Sequence, residues 1–224
     1  MSEYNINMPE YPRDYFVDYN NNKIHHLARI GSNVVLGKNN HIGAFVNIEG
    51  NTIIGDNNKI HPFVSIGSDP EHKVHYGNQN KGLVIGNNNV IREGVKINAG
   101  CFRTTEIRNN TWLFSGSYIA HDCIVCDFAT ISANVSIGGH CIIGIDANLG
   151  LGANIHQNSV IGSGSMVGMG CVVTKKSQIL PLMTYVGNPA RFLKENSFKK
   201  DKLSIEKANE YALLYIEHLS MNEK

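Results

Sequence analysis

A chain of 224 residues with 20 basic and 19 acidic side chains suits one domain with at most a small appendage. Its near-neutral charge removes the clustered basic stripe of a nucleic-acid binder. No stretch approaches the roughly 20 apolar residues that span a bilayer, so membrane insertion is not expected. The polar N-terminus lacks the apolar core of a signal peptide, and the expectation is a cytoplasmic protein. Five cysteines, Cys101, Cys123, Cys126, Cys141 and Cys171, show no framework spacing, which argues against a disulfide scaffold. The lone Cys-x-x-Cys pair at 123 and 126 lies inside a regular apolar pattern and reads as core.

Residues 1–23 carry no repeat. Tyr4, Tyr11, Tyr15, Phe16 and Tyr19 are suited to cap the open end of whatever follows. From Ile30 an aliphatic residue returns every six positions, at Leu36, Ile42, Ile48, Ile54, Ile60 and Ile66. The register breaks, resumes over Ile85, Ile91 and Ile97, breaks again, and then runs from Ile107 to Val173. Glycine often follows the aliphatic residue. A period of six is neither helical nor that of a hairpin series. It fits short parallel strands joined by tight corners, with Asn and Gly where φ is positive. Three hexapeptides make a coil of 18 residues, which places Ile119, Ile137, Ile155 and Val173 in one interior column. Period alone does not set the hand, and the ordinary parallel crossover is right-handed.

The repeat body is expected over 24–180. Its first interruption, a loop at 68–84, is polar and turn-rich, and loops on rigid scaffolds are favoured places for function. This loop is expected to reach a neighbouring subunit's cleft. The second interruption, around Cys101 to Thr105, reads as a bulged corner. The tail, 181–224, has Leu203, Ala208, Tyr211, Ala212, Tyr215 and Leu219 at helical spacing, predicting an amphipathic helix over 203–219.

Ten histidines invite a catalytic or metal reading. His121, His140 and His156 fall near corners or outer faces of the long run. Nothing in their spacing forces the rings to converge, and no nearby thiol has a suitable phase. His72 and His75 lie in the loop, so no metal is expected. The segment around His121 and Asp122 carries the stronger signal. A neutral imidazole can take a proton near pH 7 from a group attacking a thioester, and an adjacent carboxylate can fix its tautomer. Neighbours in a regular strand point to opposite faces, so the pair works only at a corner.

The Ile-Gly-x-x-x-x pattern resembles the hexapeptide acyltransferase superfamily, whose coils wind left-handed. The fold expected on that resemblance is an all-β, left-handed parallel β-helix with a short C-terminal helix, assembled as a homotrimer. Residues 24 to about 175 are similar to the bacterial UDP-N-acetylglucosamine acyltransferases that start lipid A synthesis. The likeness rests on Pro70-Glu71-His72-Lys73, Ile91-Arg92-Glu93, Ile119-Ala120-His121-Asp122-Cys123, Gly139-His140 and His156-Gln157. It implies His121 as general base, Asp122 as its orienting partner and the Gly139 amide as oxyanion donor. It further implies substrate contacts from Glu71, Lys73, His140, His156 and Gln157. Tyr118 and Asn98 stand where that family has histidine, so contacts to the sugar and diphosphate are altered. Met169 replaces a small residue beside the acyl trough and favours a short acyl group. Tyr185-Val186-Gly187-Asn188-Pro189-Ala190-Arg191 resembles the end motif of CoA-dependent acetyltransferases, which makes Arg191 a donor contact.

The resulting expectation is transfer of an acetyl or short acyl group from acyl-CoA to a nucleotide-activated amino sugar in cell-surface polysaccharide or lipopolysaccharide synthesis. One alternative is a UDP-N-acetylglucosamine acyltransferase that uses a 3-hydroxyacyl carrier protein. Another is a non-catalytic scaffold.

Overall fold

The computed structural model describes residues 16–74 and 81–197. Over these residues the six-residue period becomes a left-handed parallel β-helix of triangular coils. Its three sheets, here A, B and C in chain order, hold eleven, eight and seven strands. The expected column lies in sheet B, where Ile119 pairs with Ile137, Ile137 with Ile155, and Ile155 with Val173. Register also survives both interruptions, since Ile97 pairs with Ile66 on one side and Ile119 on the other. The extra residues are therefore thrown outward from an unbroken core.

Ile48, Ile66, Ile97, Ile119 and Ile137 are wholly buried, as are Leu113, Ile131 and Leu149 of sheet A and Val125, Ile143 and Ile161 of sheet C. One coil cannot bury its own apolar side chains; each closes over the next. Apart from Gly67, at φ +80°, the glycine after the aliphatic residue answers close stacking rather than positive φ. A Cβ on Gly144 would lie 2.5 Å from Ser163 N, and one on Gly150 would lie 2.7 Å from Met169 N. Positive φ occurs two residues further on. Asn39, Asn57, Asn88, Asn110, Asn134 and Asn158 take it, and so, less expectedly, do Phe45, Phe63 and Phe128.

Asparagine has a second use that the period does not reveal. Asn22, Asn40, Asn58 and Asn89 stack in the interior, and each Oδ1 accepts the backbone N–H of the next: Asn40, Asn58, Asn89 and Thr111. Asn58 Nδ2 also donates to Gly86 O at 2.9 Å. Asn58→Ala strips a buried N–H of its acceptor and should cost about 1–3 kcal/mol. Urea unfolding with an unchanged m-value would register this as a lower midpoint.

Hairpins flank the coils. Phe16–Tyr19 pairs antiparallel with Asn22–His25, so the coil proper begins slightly before residue 24. Met183–Val186 pairs antiparallel with Arg191–Glu195, which makes the Tyr185–Arg191 motif the turn of a terminal hairpin. The helix expected over 203–219 lies outside the described residues, as do Tyr4, Tyr11 and Tyr15. Among the described residues, no helix is long and apolar enough to cross a membrane.

Candidate active site

His121 and Asp122 occupy the corner between sheets B and C, directly after Ile119. Asp122 adopts φ +62°, a left-handed conformation. That turn removes the strand alternation that would have pointed the two side chains apart. His121 Nδ1 stands 2.6 Å from Asp122 Oδ2, with the carboxyl fully buried and His121 7% exposed. Such a contact fixes a proton on Nδ1 and leaves Nε2 as the acceptor.

The second interruption builds a cage around the carboxylate. The backbone N–H groups of Cys101, Phe102 and Arg103 all donate to Asp122 Oδ1, at 3.0, 2.8 and 2.8 Å. The Cys101 thiol donates to Oδ2 at 3.0 Å. Arg103 Nε donates to Asp122 O, and Asp122 N–H donates to Thr105 Oγ1. Burial alone would raise the Asp122 carboxyl. The bonds from His121, Arg103, Cys101 and Phe102 outweigh it and hold the group well below the usual carboxylate range. Asp122 is thus a permanent anion that orients His121 without competing for its proton.

The expectation that no thiol has a suitable phase is corrected here. Cys101 Sγ lies 3.4 Å from His121 Nδ1. Ile97 stacks directly on Ile119, so the corner after Ile97 underlies the corner after Ile119. The inserted residues swing Cys101 upward into the site. The period marks this insertion but not where its residues return to the corner.

The histidines converge, but in a different set from the one considered. The His140 ring lies 5.2 Å from that of His121, edge to face, and the His72 ring 5.4 Å from it on the loop side. Phe102 packs against both His72 and His140. His156 instead turns its Nδ1 to Gln157 O, at 2.8 Å. His72, Cys101, Phe102, Arg103 and Thr105 were not among the expected site residues.

Gly139 sits against the imidazole. A Cβ there would lie 2.6 Å from His121 Cε1 and 2.8 Å from Nε2. The ring therefore occupies space that any side chain at 139 would claim, and the backbone of 139 borders the reactive nitrogen. Gly139→Ala should displace the ring and lower kcat/KM by roughly tenfold or more, since small misplacements cost rate steeply. A crystal structure of the variant showing an unmoved ring would contradict this.

Ser68, Asp69 and Glu71, in the described part of the loop, make contacts within their own chain. Asn98 Nδ2 donates to Asp69 O and Ser68 Oγ, pinning the loop's base. Tyr118 OH donates to Glu71 Oε2 at 3.1 Å. Burial, and then the Glu71 charge, push the Tyr118 phenol above its ordinary value, so it remains a donor. Two depressions flank this bond. One is polar, lined by Glu49, Ser68, Asp69, Glu71 and Asn98. The other is an apolar groove on the outer face of sheet B, running past Tyr118, Gly138, Asn154, His156 and Val172. Lys73 and Gln157 are exposed, whereas Met169 and Arg191 lie in later strands and corners than His121. Met169 is 72% exposed at the corner between sheets A and B, and Arg191 lies on the terminal hairpin.

No family model matches the chain. Among curated proteins, the acyl-(acyl-carrier-protein)–UDP-N-acetylglucosamine O-acyltransferase of Xylella fastidiosa is 40% identical over 82 residues, which is 35% of this chain and 31% of that protein. The protein of the same name from Stenotrophomonas maltophilia strain R551-3 is 38% identical over an equal length. The matched stretch thus spans 31% of each of these curated relatives. Among solved structures, LpxA from Acinetobacter baumannii is 31% identical, covers 85% of this chain and 80% of its own, and gives a TM-score of 0.66. The chain belongs to the hexapeptide-repeat acyltransferases. Another structure, the UDP-N-acetylglucosamine acyltransferase of Francisella novicida, is 25% identical with a TM-score of 0.69, covering 88% of this chain and 78% of that one. Within this hexapeptide-repeat acyltransferase, the caged dyad lies at a corner of the prism, with Asp122 buried and His121 nearly so.

Proposed function

We propose that the protein transfers an acyl group from an acyl carrier protein to a nucleotide-activated sugar, with His121 as general base. The observation that carries this is the caged dyad: a buried carboxylate with every oxygen hydrogen-bonded, holding one imidazole in a single tautomer. A scaffold has no use for such a device. Nε2 accepts the proton of the acceptor hydroxyl or amine as that atom attacks the thioester carbon. The Gly139 N–H stabilises the resulting oxyanion. Collapse expels the carrier's sulfur, which takes the proton back from Nε2 and leaves as the thiol.

The curated relatives are named for an acyl-carrier-protein donor, so the proposed donor is the carrier protein rather than CoA. Arg191 is assigned to the phosphate-bearing arm of that donor. Tyr118, Glu71, Asn98, Lys73 and His140 are assigned to the acceptor, and His156 and Gln157 to the sugar nucleotide or acyl group. Met169 is assigned to limiting acyl length, because a large apolar side chain exposed at a corner needs a cover that an acyl chain between prisms would supply. The working form is a homotrimer with its sites in the clefts between parallel prisms.

Mass spectrometry of products formed from mixed nucleotide sugars and a panel of acyl-carrier and acyl-CoA donors tests the reading. A sugar acylated from the carrier protein supports it; no acylated sugar from any donor overturns it. Lys73→Ala should raise the KM for the sugar nucleotide while costing less than about 0.5 kcal/mol of stability, as expected for an exposed side chain. An unchanged KM would remove Lys73 from the acceptor site.

A further inference from the structure

The thiol of Cys101 has no step to perform in that reaction. Burial, then its bond to Asp122, push it up to about 12, so it is not a nucleophile near neutral pH. It is nonetheless aimed at the same oxygen as the catalytic imidazole. Cys101 Sγ, His121 Nδ1 and an Asp122 carboxylate oxygen all lie within 4.8 Å of one another, and two of the three residues are buried.

From this cluster we infer that Cys101, His121 and Asp122 form an inhibitory binding site for a thiophilic divalent cation of the zinc class. Binding itself stands on the three side chains; only its inhibitory consequence rests on the proposed role of His121. A thiolate, an imidazole and a carboxylate are a zinc-type donor set, whereas magnesium and calcium favour all-oxygen shells. Zinc bonds of about 2.0–2.3 Å separate tetrahedral ligands by about 3.4–3.6 Å. The Sγ–Nδ1 separation is already 3.4 Å. The edges to Oδ2, 3.0 Å from Sγ and 2.6 Å from Nδ1, are shorter because protons bridge them. Each opens by less than about 1 Å on metal binding, with Asp122 pivoting on Oδ1 in its amide cage. His140 Nε2 lies 3.6 Å from Oδ2 but outside the three-residue donor cluster.

The proton balance explains the inhibition. The cation replaces the thiol proton, which is released to solvent. It also takes the Nδ1 position, so the imidazole's proton moves to Nε2. An Nε2 that carries a proton cannot accept one from the acceptor, and the base is lost without any displacement of the ring. Because a thiol proton must leave, affinity rises with pH.

Cobalt(II) is the direct probe, since a cobalt–thiolate bond gives a charge-transfer absorption that nitrogen and oxygen ligands do not. Titration of the tag-free, full-length protein should develop this band, and equimolar zinc should abolish it. Cys101→Ser, which keeps a hydroxyl donor toward Asp122, should lack the band. Calorimetry should show zinc affinity lowered by about tenfold or more in that variant, at least the loss seen for weaker ligand-sphere changes. Absence of the band in the parent, or its persistence in Cys101→Ser, overturns the site. In an acyl-transfer assay, zinc should inhibit the parent at lower concentration than the variant; band formation without inhibition overturns the inhibitory role alone. Were no acyl transfer found with any substrate, the cobalt titration would still decide the metal site.

Discussion

His121→Ala is expected to lower kcat by roughly 10²–10⁴-fold, the span for removing general acid–base catalysis. Acceptor affinity should change far less, because proton transfer is made mainly in the transition state. The coils should survive, since His121 lies at a corner and not in the column of Ile119, Ile137 and Ile155 that joins them. The acid limb of the kcat/KM profile, present in the parent, should vanish in the variant. Steady-state kinetics from pH 5.5 to 9 decide the matter. An amine acceptor is a good nucleophile once neutral, and with such a substrate His121 could serve only to position it. A kcat within about fivefold of the parent at saturating acceptor would therefore remove the general-base role, while leaving the fold and family untouched.

The second large effect is expected from Asp122→Asn. The amide keeps an oxygen for the N–H groups of Cys101, Phe102 and Arg103 but turns a nitrogen donor toward His121. Nδ1 must then accept, the imidazole proton moves to Nε2, and the base is lost through the wrong tautomer. A fall in kcat of roughly 10²–10⁴-fold is expected, matching loss of the base itself. The double variant with His121→Ala should be little worse than either single one, because the two residues act as a unit. Additive losses would show that Asp122 does something apart from orienting His121.

Stability separates this dyad from an ordinary buried pair. The folded Asp122 carboxyl lies below its unfolded value of about 3.9, so its stabilisation is present above that pH and lost as pH falls further. The parent should accordingly lose stability on acidification below about pH 4 more steeply than Asp122→Asn. The gap between parent and variant is therefore widest at pH 7 and narrows in acid. Urea midpoints measured from pH 3 to 7 give both curves. Parallel curves would mean that the cage adds nothing to the folded state.

The sequence by itself determined the coil, its interior columns, its interruptions and its corner histidine. Each follows from a periodicity that only one kind of backbone satisfies, with Ile119 and its partners 18 residues apart required to stack. It also marked His121 and Asp122, because a carboxylate beside an imidazole is a legible pairing once a corner is supplied. The hand came from resemblance and not from the period. What tertiary structure alone decided was which residues surround the dyad. Cys101 and the N–H groups of residues 101–103 reach Asp122 from the preceding coil, and His72 reaches His121 from a loop thrown off an earlier one. His156, grouped with His140 at the sequence level, turns instead to Gln157. Such contacts depend on where inserted residues return to the prism and how each side chain rotates there. A six-residue period fixes the backbone that carries them but says nothing about residues that stand outside it.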